Sequence, residues 1–353
     1  MQNVELLKDD FKIICARYGE DYSGLYNKSI VITGVCGMIA EYLVHFLMYL
    51  NQTQNASISV IGVCRNKADA DAKFAKYYHT GFFECIEADV RELRAINGGV
   101  DIIIHAASPT SPYIYENFPV DVATINMFGT WNMLELAKEK SAEIVLISSS
   151  SVYGAASCEY LTEESYGRLS TTEVRSCYSE GKRAAETLCS AYYHQYGVKA
   201  KIARCRRVYG PTANLKSKSL LNKLLQATAL CETIEMFKDP DNMIQLLYVG
   251  DALTGILKIL LHGYAGEAYN VSSDAPISVE ALAEELTRLE GTCKLKIKWI
   301  DKAVLTDSVR TKVQKDRNNA CCVNDKLCAL NWEPIFSLKQ GLLRTVEELK
   351  GEK

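Results

Sequence analysis

At 353 residues, 48% hydrophobic and 24% charged, the chain has the composition of an ordinary soluble protein, long enough for two lobes or one large α/β unit. A net charge of -3, with no dense Lys/Arg cluster, gives no basic footprint for nucleic acid and leaves small anionic ligands open. The longest apolar stretch near the start, Glu41 to Leu50, is too short to span a bilayer and carries Glu41 and His45, so a helix packed on a sheet is expected and no membrane partner.

Residues 1–27 read as a helical extension ahead of the first strand. They carry acids where a signal peptide needs a basic start and a long apolar centre, so the expected location is cytoplasmic. From residue 29 onward β-rich apolar runs alternate with helical patterns. Strands are expected at 29–33, 57–64, 82–88, 101–107, 143–149 and 199–205, and helices at 120–140 and 177–197. That rhythm predicts an α/β fold, a Rossmann-like doubly wound parallel sheet over 28–206 with a return around 246–274. Residues 207–245 and 275–353 then form a smaller C-terminal substrate-binding lobe. The thirteen cysteines are scattered, and Cys321, Cys322 and Cys328 lack a Cys-x-x-Cys pair or a nearby His. They are expected to be buried small residues in a reducing compartment, with no metal site.

The first strand runs into "TGVCGMIA", which spaces Gly34, Gly37 and Ala40 three apart before an apolar helix. Gly34 can make the tight turn, Gly37 lets the backbone approach a pyrophosphate, and Ala40 permits close helix packing. The diphosphate would sit at the helix N-terminus, where unpaired N–H groups and the dipole favour anions. Gly34, Gly37, Met38 and Ile39 are therefore candidate cofactor contacts, against the plainer reading of glycines serving only a turn. After the second strand the chain reads Arg65, Asn66, Lys67 where a ribose-binding carboxylate is usual. An arginine there can pair with a 2'-phosphate, which points to NADP over NAD. Asp89 and Val90 follow the third strand, where Asp89 either meets the adenine edge or is a solvated loop acid.

In "CYSEGK", Tyr178 and Lys182 stand four apart on a predicted helix and share one face. A phenol is a poor base at neutral pH, but a nearby ammonium and an oxidised nicotinamide both favour its phenolate. Tyr178 can then take a hydroxyl proton as hydride leaves the same carbon. The competing reading is a surface aromatic over a lysine stem.

Over residues 28 to 345 the motifs "TGVCGMIA", "HAASPTSP", "NMFGTWNMLELA", "SSSSVYG", "RSCYSEGKRAAETL", "RVYGP", "YVGDA" and "LNWEP" resemble an extended short-chain dehydrogenase/reductase of the nucleotide-sugar epimerase, dehydratase and decarboxylase group. "HAASPTSP" and "RSCYSEGKRAAETL" look most like UDP-glucuronate decarboxylases, and "SSSSVYG" more like 4-epimerases. The resemblance implies a bound NAD(P), a nucleotide sugar between two lobes, and oxidation at a sugar carbon by Tyr178, Lys182 and a hydroxyl that falls on Ser149. It places Ala106 and Ala107 along the cofactor and Ser108 beside the nicotinamide and substrate. It also implies a homodimer through helices 120–140 and 177–197.

Three departures from the family pattern bear on the reaction. Ser150 and Ser151 stand where dehydratases carry Asp and Glu, and decarboxylases Glu, so elimination of water loses its usual acid and base. Arg207 occupies the position of an Asn that touches the substrate diphosphate, and Ile244 that of an Arg on the same group. Ser108, Ser150, Ser151 and Arg207 are the candidate substrate contacts. Epimerisation of a nucleotide-activated sugar is the leading expectation. An NADPH-dependent reductase of a nucleotide-linked ketose or keto sugar is the first alternative. A dehydratase or decarboxylase, or a non-catalytic dinucleotide sensor, comes after it.

Overall fold

The computed structural model describes residues 4–155, 158–212, 219–239, 241–273, 275–290, 294–300 and 320–351. In chain order its first twelve strands are β1 (Ser29–Thr33), β2 (Ser59–Cys64), β3 (Phe83–Glu87), β4 (Ile102–His105), β5 (Glu143–Ser149), β6 (Tyr160–Leu161), β7 (Ala200–Cys205), β8 (Arg207–Tyr209), β9 (Thr233–Phe237), β10 (Met243–Ile244), β11 (Leu246–Tyr248) and β12 (Ala268–Val271). The helices around them are α1 (Val4–Tyr18), α2 (Met38–Gln54), α3 (Lys67–Phe74), α4 (Pro112–Asn117), α5 (Pro119–Thr124), α6 (Thr130–Lys140), α7 (Ser176–Tyr196), α8 (Leu220–Ala229) and α9 (Val249–His262).

Seven parallel strands form the central sheet in the order β12-β7-β5-β4-β1-β2-β3. Strand order reverses between β1 and β4, and in such sheets ligands bind beyond the carboxyl ends of the strands at that switch. The apolar runs have a physical cause. Ile30, Ile32, Ile104 and Val145 face one buried cluster, while Val31, Ile61, Ile103 and Ile144 face a second on the other side. With both faces covered, every position is apolar and the alternation of a half-solvated strand disappears. Strand β2 starts two residues later than expected because Ser57 adopts a left-handed φ of 52°.

Helix α2 is buried nearly all round, from Ala40 through Met48, including Glu41 and His45. A helix apolar on every side needs a second cover, and α1 supplies it. Phe11 packs edge-on against Tyr42 and Phe46 at 5.1 and 5.4 Å. Buried Asp10 accepts hydrogen bonds from Tyr42 at 2.9 Å and Tyr248 at 2.5 Å, and pairs with Arg344 in the C-terminal helix Leu338–Gly351. Among the described residues no helix is long and apolar enough to cross a membrane.

The helix expected at 120–140 is present, with a π-turn at Ile125–Gly129 between α5 and α6. The wider turn coincides with side chains bonded to the backbone: Asn126 Nδ2 donates to Val122 O at 2.7 Å and Thr130 Oγ1 to Asn126 O at 2.6 Å. One expectation needs correction: the cysteines are not uniformly buried thiols. Cys64, Cys189, Cys205, Cys321 and Cys322 are buried, but Cys158 and Cys328 are exposed and Cys231 is disulfide-bonded. The expected C-terminal lobe extends over 213–218, 291–293 and 301–319, which lie outside the described residues.

Candidate active site

The loop after β1 is shaped for close approach. Gly34 has φ +65°, and a Cβ there would lie 2.7 Å from Ala107 Cα, so no side chain fits. Gly37 caps α2 with extended backbone and no side-chain capping bond, and Met38 and Ile39 behind it are half-exposed. The first amides of this 17-residue helix are thus left for an outside acceptor. That uncapped end, beside a turn only glycine can make, fits a dinucleotide diphosphate. Thr33 Oγ1 holds the neighbouring segment by accepting from Ala107 N at 3.1 Å and sharing a 2.7 Å hydrogen bond with His105 Nδ1. Burial, with Lys182 nearby, pushes the His105 pKa down to about 3, so that imidazole is neutral. Ala106, Ala107 and Ser108 line the gap, all half-buried. Ser108 Oγ donates to Asn126 Oδ1 at 2.9 Å.

At the far end of the cleft Arg65 is exposed, and Asn66 caps α3 by accepting from Ala68 N at 3.0 Å. The Arg91 side chain holds both carboxylate oxygens of Asp89, with Nε at 3.0 Å and Nη2 at 2.7 Å, and reaches Asp121 at 2.7 Å. Hydrogen bonding to Arg91 keeps the Asp89 pKa below its ordinary value, and the Arg65 charge adds to the effect. Arg65 and Asp89 thus share one electrostatic neighbourhood. Val90 is buried against the π-turn, where a Cβ on Gly129 would lie 2.8 Å from it.

The carboxyl end of β5 and the start of α7 bring Ser149, Tyr178 and Lys182 together. Burial raises the Tyr178 pKa, and a hydrogen bond with Ser149 opposes the rise. The Ser149 hydroxyl also accepts from Ser151 N at 3.2 Å, which fixes the lip of the strand. Lys182 is buried and donates to Ile147 O at 2.7 Å. Burial lowers its pKa to about 8, while the Glu186 charge one turn further on resists the fall.

The other predicted contacts separate. Ser150 Oγ accepts from Arg206 Nη1 at 3.3 Å, and Arg206 also donates to Ala320 O at 2.9 Å. Ser151 Oγ is buried with no hydrogen-bond partner among the described residues. Arg207 is exposed at the start of β8, opposite Leu246 in β11, and its neighbour Arg206 touches the serine lip. Ile244 is half-buried in β10, paired with Ile277.

Several supporting residues were not anticipated. Arg183 braces the lip by donating to Val152 O at 2.7 Å and Gly167 O at 2.8 Å. Glu186 joins Ser148 to Arg204, and Arg204 Nη1 reaches Tyr153 OH at 3.0 Å. The spacing Tyr178, Lys182, Glu186, one helical turn each, carries the signal for Glu186. No local pattern marks Asn126 or Arg206.

UDP-glucuronic acid decarboxylase 6 of Arabidopsis thaliana is 31% identical over 324 residues, covering 92% of this chain and 89% of the relative. Among solved structures, dTDP-glucose 4,6-dehydratase from Streptomyces venezuelae, with NAD bound, superposes with a TM-score of 0.73 at 21% identity, covering 92% of this chain and 97% of that one. UDP-glucuronic acid 4-epimerase from Bacillus cereus, in complex with NAD, gives 0.72 at 20%, covering 92% and 99%. Residues 30–272 match the NAD dependent epimerase/dehydratase family, and the chain belongs to that family as an enzyme of the extended short-chain dehydrogenase/reductase type.

Proposed function

We propose that this enzyme modifies a nucleotide-activated sugar by NAD(P)-dependent hydride transfer at a sugar carbon, with epimerisation as the outcome. The observation that carries the reading is the meeting of Ser149, Tyr178 and Lys182 at the carboxyl end of β5, beside a lip that holds Ser150 and Ser151 and no carboxylate. Tyr178 takes the sugar hydroxyl proton, and Ser149 hydrogen-bonds the oxygen as it changes from alcohol to ketone. The Lys182 ammonium favours the Tyr178 phenolate. A dinucleotide held at the glycine loop by Gly34, Gly37, Met38 and Ile39 would supply the hydride acceptor and donor. Return of the hydride to the opposite face of the ketone inverts the carbon, and Tyr178 gives its proton back. No further acid or base is required.

A second reading, net reduction of a keto sugar by NADPH, rests on exposed Arg65 at the end of β2, which suits a 2'-phosphate. Gly34, Gly37, Met38, Ile39, Arg65, Asn66, Asp89, Val90, Ala106, Ala107, Ser108, Tyr178 and Lys182 are our cofactor set. Ser108, Ser150, Ser151 and Arg207 are our substrate set. We take 207–245 and 275–353 as the substrate lobe and infer a cytoplasmic homodimer. Met127, Phe128 and Trp131 beside α6, and Tyr193 and Tyr196 on α7, support the dimer because they remain exposed in the single chain.

The test is a panel of UDP- and dTDP-sugars, UDP-glucuronate included, incubated with purified protein while nicotinamide absorbance and products are followed. An epimer formed with catalytic NAD(P) supports the proposal. Stoichiometric NADPH loss, or release of CO2 from UDP-glucuronate, replaces it with reduction or decarboxylation. Full activity in Tyr178→Phe removes the mechanism altogether.

A further inference from the structure

The Tyr178 ring is stacked on a second phenol. The Tyr115 and Tyr178 centroids lie 4.8 Å apart with planes inclined by 19°. Tyr115 belongs to α4, a six-residue helix with no fully buried residue, and is itself half-buried. Two other contacts fasten α4 to the beginning of α7. Cys177 Sγ lies 3.9 Å from the Tyr115 carbonyl oxygen, and Glu116 pairs with Arg175 at 3.0 Å. The segment that leaves β4 therefore lines the cofactor gap with Ala106, Ala107 and Ser108, and then turns back to cover the tyrosine of α7.

Resting on the reading of Tyr178 as the group that exchanges the sugar's hydroxyl proton, we propose that Tyr115 is a positioning residue: its ring closes one face of the Tyr178 ring and holds the phenol edge on Ser149. An aromatic face covered at this separation admits neither water nor sugar, so the reactants are left the hydroxyl edge and the opposite face. Near-parallel stacking also restrains ring tilt, and proton transfer depends steeply on such placement.

The Tyr178 hydroxyl meets Ser149 at the end of β5 and feels Cys205 at the end of β7; Tyr115 from α4 covers the ring, Cys177 beside it on α7 faces the Tyr115 carbonyl, and Lys182 follows one turn on. Burial is the main influence that raises the Tyr178 pKa. Removal of the Tyr115 ring exposes one face and moves ionisation to lower pH. A phenylalanine in its place keeps the cover.

The experiment uses the full chain with saturating NAD and follows tyrosinate absorbance against pH. Wild type, Tyr115→Phe and Tyr115→Ala are each subtracted from the same protein carrying Tyr178→Phe. This isolates the Tyr178 transition and needs no substrate. Expected is a shift of about one pH unit downward in Tyr115→Ala, the usual scale of environmental perturbation, and none in Tyr115→Phe. With a sugar from the panel, kcat falls about tenfold in Tyr115→Ala at unchanged KM, part of the roughly 10²–10⁴ that general acid–base catalysis supplies, and Phe restores it. Superimposable transitions in wild type and Tyr115→Ala overturn the proposal, as does an equal shift in both variants. If Tyr178→Phe turns over sugars normally, the reading of Tyr178 fails, while the titration still decides whether Tyr115 covers the ring.

Discussion

Arg204 closes on the Glu186 carboxylate with three hydrogen bonds, at 2.8 Å from Nη2 and 3.1 Å from Nε to each oxygen. The pair is largely shut off from water and sits directly behind Lys182, with Ser148 as a further donor to Glu186. Removing one partner leaves a buried charge uncompensated, which costs more than the pair contributes as a whole. Glu186→Gln is expected to lower unfolding stability by about 3–5 kcal/mol. The double variant Glu186→Met/Arg204→Met should recover most of the loss. Urea unfolding of the three proteins checks this, and an unchanged midpoint in Glu186→Gln contradicts it.

Lys182 titrates differently in the folded and unfolded chain. Burial lowers its folded pKa to about 8 from an ordinary 10.5, so between these values the unfolded chain binds more protons and stability rises with pH. Below about 8 the penalty for burying the ammonium is fully present. Catalysis runs the other way: as pH rises through about 8 the charge that supports the Tyr178 phenolate disappears and kcat/KM declines. Lys182→Arg stays charged and should lack this alkaline limb. A pH profile of kcat/KM for both proteins is the measurement.

Cofactor choice turns on Arg65. If its guanidinium meets a 2'-phosphate, Arg65→Ala removes a charge-assisted hydrogen bond of roughly 1.5–3 kcal/mol, about ten- to a hundredfold in NADP affinity. NAD affinity should hardly change. Calorimetric titration with each dinucleotide decides it, and equal loss for both assigns Arg65 a structural role.

Ser151 carries a buried hydroxyl with no partner among the described residues. Such a group costs about 1–3 kcal/mol until something binds it. Ser151→Ala is therefore expected to raise the melting temperature of the ligand-free protein while raising KM for the sugar. A lower melting temperature would mean that the hydroxyl is already satisfied.

Much of this architecture was legible in the sequence. The central strands betray themselves because burial on both faces turns β1, β2, β4 and β5 into unbroken apolar runs. Gly34 and the Tyr178/Lys182 spacing are equally readable, since each meets a local geometric demand. The supporting groups are not local. Glu186 finds Arg204 from 18 residues away, and Asn126 reaches Ser108 over the same distance, so only the assembled fold brings them into contact. The π-turn escaped notice because its residues, Ile125 to Gly129, keep a helical pattern while the backbone widens. Arg206 meets the lip at Ser150 across 56 residues, a contact that the assembled fold alone creates.

The Asp10 carboxylate joins the two ends of the chain. Its cation, Arg344, is translated 334 residues later, while Tyr42 is available early. Until the helix Leu338–Gly351 has been made, the cover over α2 has an acid without its Arg344 counter-charge. Burial raises the Asp10 pKa, so an early-docked α1 must either carry that acid protonated or stay loosely seated. The helix that begins at the glycine loop is thus sealed only after Leu338–Gly351 is made, and a nascent chain without that helix presents that half of the molecule unlatched to chaperones and proteases.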